Sequence, residues 1–284
     1  MNTSAVNTRA ADSEGVFVLS EPVRVDDTGK HPLPGGGETR TPGQVLEARA
    51  LHYAYPDGNP ALNGVDFALN KGEKLALVGA NGSGKSTLML HLSGCLAAQR
   101  GEVLLRGSPV GSDLKRLRDA VGLIFQDPDD QLFMPQVFED VAFGLVAHGR
   151  NVAEAHAEAA AVLDTLNIGH LASRPPHRLS GGEKRMVALA GILVMQPEIV
   201  VLDEPSAALD PRARRRVIET LQELEKPLIL ATHDLDMALD VCGRAIVMNK
   251  GVVSADGAIP DILQDKFLLL ENGLEPPLRY GVSG

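Results

Sequence analysis

Gly79-Ala80-Asn81-Gly82-Ser83-Gly84-Lys85-Ser86-Thr87 is the stretch around which the whole chain can be read. It fits G-x-x-x-x-G-K-[ST], and its flanks are those the pattern demands. Before it, Leu75-Ala76-Leu77-Val78 is a short unbroken apolar run, as expected of a strand buried on both faces. After it, Leu88, Leu92, Cys95 and Leu96 recur at the spacing of one helix face. Strand, glycine loop and helix N-terminus together make a phosphate cradle. The glycines leave backbone N–H groups pointing inward, and the helix dipole adds positive potential. Lys85 is then expected on the β- and γ-phosphates, with the Ser86 hydroxyl on Mg²⁺. The plain alternative is a glycine-rich turn that binds nothing; it leaves the lysine, the hydroxyl and both flanks unexplained. The stretch predicts a nucleotide-binding protein.

Bulk properties narrow the class. The chain has 284 residues, enough for one large domain or two modest ones, and 44% apolar with 23% charged residues is ordinary for a globular protein. A net charge of −10 argues against a nucleic-acid partner, which needs a basic face. Cys95 and Cys242, each in an apolar context, are expected to be unpaired core thiols of a reducing compartment. No apolar run reaches the roughly 18–20 residues that span a bilayer, and the N-terminus lacks the pattern of a secretory signal. A cytosolic chain is expected.

Outward from the glycine loop, residues 1–44 are rich in Thr, Ser, Asp, Pro and Gly and are expected to be a mostly disordered extension, with a short docking strand near Phe17 as the alternative. The domain proper starts near Val45. His52-Tyr53-Ala54-Tyr55-Pro56-Asp57-Gly58 is an aromatic loop; a tyrosine here either stacks on a purine or packs as a turn aromatic. Val65, Phe67 and Leu69 alternate with polar or small residues, the period of a half-buried antiparallel strand, and Glu102–Gly107 reads as another strand with its turn. Val121–Phe125 is a core strand with Gln126 at its C-terminal end, the edge that faces ligand in open α/β sheets. Residues 127–179 read as a helical insertion; Asn151 and Glu154 resemble a capping box, and Pro175-Pro176 closes the region.

Ser180, Gly181 and Gly182 open a further helix and so form a second potential anion site, although such a triplet alone is more often a simple cap. Ile199-Val200-Val201-Leu202 is a buried run ending in Asp203-Glu204. Asp203 is placed to hold Mg²⁺, and Glu204 to polarise an attacking water. Pro211 suits the first position of the next helix, whose Arg212, Arg214, Arg215 and Arg216 are expected on its solvated side. Leu228-Ile229-Leu230-Ala231 is another core strand; His233 follows it at the same sheet edge and is read as a γ-phosphate contact. Residues 245–253 read as a hairpin turning at Asn249-Lys250-Gly251, and the rest as short helices.

The order GANGSGKST, Gln126, LSGGE, IVVLDEP, SAALD, ATHD resembles that of ATP-binding-cassette (ABC) transporter ATPases, over roughly residues 46–258. LSGGE discriminates, because ordinary P-loop kinases and GTPases lack it. The resemblance implies a P-loop α/β core sheet with an antiparallel β subdomain and an inserted α-helical subdomain at about 127–179, followed by a short helical tail over 259–284. It implies Tyr55 on adenine, Asn81, Gly82, Ser83, Gly84, Lys85, Ser86 and Thr87 on the phosphates, and Mg²⁺ at Ser86, Gln126 and Asp203. Glu204, His233 and Gln126 would be catalytic, and Asp210 would end the loop that follows Glu204. Ser180, Gly181 and Gly182 would close over the nucleotide of a second, head-to-tail copy.

Phe125–Phe133 is similar to the corresponding region of energy-coupling-factor (ECF) importers; Asp234–Asp240 and the Leu-Glu-Pro-Pro-Leu ending look most like the cobalt/nickel branch, the CbiO type. Such ATPases act at the cytoplasmic membrane face beneath a transmembrane scaffold and a metal-capture subunit. Part of the apolar segment after Gln126, through Phe133, Phe138 and residues 141–143, is expected to line a groove for the scaffold. An importer of a vitamin or other solute is the neighbouring alternative. A soluble DNA-repair or ribosomal ABC ATPase is disfavoured by the lack of a long coiled coil, a Cys-x-x-Cys or a second cassette, and a non-hydrolysing regulator by the presence of Glu204 and His233.

Overall fold

The structure, a computed structural model, describes residues 43–280 and the backbone of Ala10–Ala11 (β1) and Phe17–Val18 (β2). The two short strands pair antiparallel, Ala10 with Val18 and Ala11 with Phe17, within a unit of their own. The expectation of disorder over residues 1–44 otherwise falls outside the described residues, except that Gln44 already opens a strand.

In chain order β3 (Gln44–Ala54) and β4 (Pro60–Asn70) lead into β5 (Lys74–Val78) and α1 (Lys85–Leu92). Then come β6 (Arg100–Leu105), β7 (Ser108–Pro109), α2 (Lys115–Ala120) and β8 (Val121–Ile124). Three helices, α3 (Val137–Ala147), α4 (Val152–Thr165) and α5 (Gly181–Leu193), precede β9 (Ile199–Asp203). The chain continues through α6 (Pro211–Glu223), β10 (Leu228–Ala231), α7 (Leu235–Val241), β11 (Arg244–Asn249) and β12 (Val252–Ala258), and α8 (Ile259–Gln264) and α9 (Lys266–Glu271) follow. One sheet has the order β12-β11-β5-β10-β9-β8, parallel except for β12; the other is antiparallel, β4-β3-β6-β7.

The parallel strands are apolar throughout because both faces are covered. Their alternate side chains feed two cores. Leu75, Leu77, Val201, Ile229 and Ile246 pack with α1, α2 and the antiparallel sheet. Ala76, Val78, Val200, Leu202, Leu230 and Val247 pack with the helical side of the molecule. The period-two geometry of a strand thus builds both layers from one run of residues. Helices α3, α4 and α5 pack on one another, so the helical insertion extends past residue 179 and includes α5.

Four expectations need correction. Helix α1 stops at Leu92, and Cys95 is exposed rather than a core thiol. The cause is Gly94, which adopts φ 72° as the helix ends; its N–H bonds to the His91 carbonyl, and a Cβ there would lie 2.6 Å from the Leu114 carbonyl oxygen. Asn151 does cap α4, but by accepting from the Ala153 N–H, without Glu154 completing a box. Two of the four α6 arginines are not simply solvated. Arg214 forms a two-pronged pair with Asp234 (2.6 and 2.8 Å), and Arg216 donates to the carbonyls of Leu166 and Asn167 (2.9 Å each). Phe138 turns inward, its ring edge-on to His156 of α4 at 4.3 Å. Phe138 lies on α3, and its apolar character in the sequence does not say which neighbour covers it.

Gly122 in β8 lets α5 approach the sheet, since a Cβ there would meet Ile192 at 2.2 Å and Pro197 at 3.1 Å. Overpacking of this kind costs about 1–3 kcal/mol. Gly122→Ala is expected to lower unfolding free energy by that amount in urea titration, with an unchanged dependence on denaturant concentration.

Candidate functional site

The C-terminal ends of β5, β8, β9 and β10 converge on one cleft of about 550 Å³. Tyr55, the loop from Gly79 to Thr87, Gln126, Asp203, Glu204 and His233 all line it, joined by Gly273 and Leu274. A Cβ on Gly79 would fall 2.3 Å from the Met248 carbonyl oxygen, so glycine lets the loop leave β5 against the neighbouring strand. Lys85 opens α1, buried, and its ammonium donates to the carbonyls of Gly79 (2.7 Å) and Ala80 (3.2 Å). Burial pushes the Lys85 pKa below its ordinary value, while the carboxylates of Glu204 and Asp203 pull the other way. Ser83 is buried with a hydroxyl that has no partner, a donor aimed at nothing in the protein itself. An unspent hydroxyl, a buried ammonium and a helix N-terminus suit a polyphosphate.

The Ser86 hydroxyl donates to an Asp203 carboxylate oxygen at 2.9 Å. Burial holds the Asp203 carboxyl above the usual carboxylate range, with the Glu204 charge adding to it and Ser86, Lys85 and Arg185 opposing. A carboxylate and a hydroxyl oxygen in contact, with the Gln126 amide on the same cleft, fit a hard, oxygen-seeking cation such as Mg²⁺.

Glu204 follows directly, buried, in a left-handed backbone conformation (φ 46°) that few non-glycine residues adopt. Such strain is retained where function fixes a side chain. One of its carboxylate oxygens accepts from the Thr232 hydroxyl (3.1 Å) and the His233 N–H (3.2 Å), and His233 Nδ1 lies 2.8 Å away. Thr232, fully buried, also accepts the Asp234 N–H at 3.0 Å, and Asp234 in turn holds Ser206 and Arg214. Thr232 precedes His233 in the sequence, but a threonine there carries no signal of its own; its role as a buried partner of Glu204 is visible only in three dimensions. Tyr55 is 39% exposed, edge-on to Tyr53, with its hydroxyl 3.1 Å from that of Thr87.

Ser180, Gly181 and Gly182 are absent from this cleft. Ser180 caps α5 in a reciprocal box with Glu183, and Ser180 and Gly182 line a separate cleft beside Asp210 and Arg212. Asp210 caps α6 by accepting the N–H groups of Arg212 and Ala213. A single chain thus carries a phosphate loop and an LSGGE helix that do not face one ligand. Among the described residues no cluster of His, Cys, Asp and Glu is arranged to hold a metal unaided, and no helix is long and apolar enough to cross a membrane.

The sequence model of the ABC transporter family matches residues 62–207. A Geobacter sulfurreducens protein named as an ABC transporter ATP-binding protein is 49% identical over 82% of this chain and 94% of its own. The chain belongs to the ABC transporter ATPases. Within that family it is 45% identical to the cobalt import ATP-binding protein CbiO of Rhodobacter capsulatus, over 82% of this chain and 86% of that one. It is 36% identical to the solved CbiO1 of Clostridium perfringens, part of a cbiONQ transporter complex, with a TM-score of 0.72 over 81% of this chain and 94% of that one. The expected P-loop core, antiparallel β subdomain and ATPase activity stand.

Thr232→Val keeps the shape of the buried side chain and removes the hydroxyl that orients Glu204. Loss of one such hydrogen bond, at about 1–2 kcal/mol, is expected to lower kcat by about 5- to 30-fold. ATP affinity, measured by fluorescent-nucleotide binding, should stay unchanged; an unaltered kcat would remove Thr232 from the site.

Proposed function

We propose that this ABC ATPase is the ATP-hydrolysing subunit of an ECF-type importer for cobalt or nickel ions, peripheral at the cytoplasmic face of the membrane. The observation that carries hydrolysis is Glu204, a buried carboxylate whose one oxygen is held by Thr232 and His233 beside the Ser86–Asp203 pair. Glu204 draws the proton of the attacking water, His233 contacts the γ-phosphate, and Lys85 with the Asn81–Thr87 loop holds the transferred group. Ser86, Asp203 and Gln126 would hold Mg²⁺, which when bound would supply positive charge against the phosphate oxygens. Tyr55 stacks on the adenine.

Two copies pack head to tail. Ser180, Gly181 and Gly182 of one close over nucleotide held by Lys85, Ser86 and Gln126 of the other, in keeping with their placement on a different cleft of the same chain. With both half-sites intact, a symmetric homodimer is the simplest closed arrangement. The scaffold subunit docks on an apolar groove between α3, α5 and β8, where Phe133 (63% exposed) meets Phe143 edge-on at 4.9 Å. The metal assignment is supported by the likeness to CbiO. A relative named as an ECF transporter ATP-binding protein, EcfA of Methanocaldococcus jannaschii, is 41% identical over 82% of this chain and 86% of that one, which supports the ECF type without naming a solute; import of a vitamin or other solute is the second reading.

Uptake assays decide between them. Cells expressing the chain with its neighbouring membrane subunits are expected to accumulate labelled cobalt or nickel, and Glu204→Gln to reduce uptake to background. Uptake of an organic solute but of neither metal would replace the metal assignment.

A further inference from the structure

Nothing in the hydrolytic cleft accounts for Arg185. It sits near the start of α5, 4% exposed, and forms no salt bridge among the described residues. Its guanidinium instead donates to two successive backbone carbonyls, Nη1 to Phe125 at 2.8 Å and Nη2 to Gln126 at 2.7 Å, while Nε is buried without a partner. Burying a cation among neutral acceptors is costly, and burial pushes its pKa below the ordinary guanidinium value, opposed by the more distant charges of Asp127 and Asp203. The planar fork meets the two neighbouring carbonyls with two separate nitrogens fixed in one plane, whereas a lysine offers a single freely rotating nitrogen on a differently shaped stem. One residue earlier, the Lys184 ammonium grips both carboxylate oxygens of Asp129 at 2.6 and 2.7 Å. The first turns of α5 therefore hold the chain from Phe125 to Asp129 by backbone and by side chain.

Helix α5 is a single unbroken element whose N-cap is Ser180 and whose first two residues are Gly181 and Gly182. The same rigid element thus presents the LSGGE residues at one point and fixes the backbone of Gln126 one turn further on. We infer that Arg185 is a positioning residue that couples the two half-sites of one chain. It sets the direction in which Gln126 enters its own cleft according to where α5 stands, and α5 stands where the partner copy's nucleotide holds it. A protein side chain thereby joins sites that belong to different nucleotides. The inference rests on the roles proposed above for Gln126 and for Ser180–Gly182.

A mutant cycle in the full chain tests it, using Arg185→Lys, Gln126→Ala and the double variant, with Arg185→Gln as a second single variant that keeps one donor. ATP hydrolysis is measured against Mg²⁺ and against ATP, alongside fluorescent-nucleotide binding and thermal melting. Arg185→Lys is expected to lower kcat at least about tenfold, to raise the Mg²⁺ concentration for half-maximal activity, and to move the Hill coefficient for ATP from about 2 towards 1. Nucleotide affinity should stay within about twofold, because the Lys85 loop is untouched. Arg185→Gln should show the same pattern. In the Gln126→Ala background, Arg185→Lys should add no further Mg²⁺ dependence. Full additivity would overturn the coupling, as would a lowered melting temperature with unchanged Mg²⁺ requirement and Hill coefficient. Should Gln126→Ala alone leave the Mg²⁺ requirement unchanged, the role of Gln126 fails first, and the coupling through it fails as a consequence.

Discussion

The register of three neighbouring parallel strands is the constraint on which the site depends. Leu77 of β5 lies beside Ala231 of β10, and Ala231 lies beside Asp203 of β9. Each strand leaves the sheet at nearly the same level, so the phosphate loop, the Thr232-His233 turn and the Asp203-Glu204 pair emerge side by side. A slip of one residue would turn Asp203 to the opposite face and exchange the two cores. Dense apolar packing on both faces holds the register, because Leu77 and Ala231 belong to one core while Val78 and Leu202 belong to the other. The chemistry at the edge is therefore secured by residues with no chemistry of their own.

That arrangement gathers charges that do not tolerate burial well. Lys85 is pushed below its usual pKa and Asp203 above its own, both chiefly by loss of water. Each group is more comfortable with a ligand of the opposite sign, the ammonium with phosphate oxygens and the carboxylate with a cation. The same logic gives direction to assembly. The capped N-terminus of helix α5 lies on a cleft other than that of Lys85, and in the proposed head-to-tail pair a bound γ-phosphate would supply the negative charge that its dipole favours. In that pair hydrolysis would remove the charge and favour opening, a motion that the groove at Phe133 would pass to a membrane partner.

Much of this was legible in the sequence, and the reasons are physical. Short apolar runs such as Leu75–Val78 and Ile199–Leu202 read as strands covered on both faces, as the structure has them, and each leads into residues of the candidate cleft. Ser180-Gly181-Gly182 reads as a helix cap in the sequence, and the structure adds the reciprocal bonds of Glu183. What escaped were contacts between distant positions. Arg185 meets carbonyls 59 and 60 residues earlier, and Arg214 meets Asp234 20 residues later, where composition suggested a solvated arginine face. Backbone carbonyls leave no trace in side-chain identity, so a buried arginine that binds them looks like any other basic residue near a helix start. Cys95 looks like a core residue in the sequence because helical periodicity continues in the letters after Gly94 has ended the helix in space.

The central claim is that one chain holds two complementary halves of a nucleotide site and needs a second copy to complete it. Glu204→Gln keeps the shape of the side chain but removes the charge proposed to draw the proton from water, so bound ATP should persist. Size-exclusion chromatography of this variant at micromolar concentration, with and without Mg-ATP, is the direct measurement. The account predicts a dimer with Mg-ATP that reverts to monomer when nucleotide is withdrawn. Elution as a monomer with ATP demonstrably bound would contradict it.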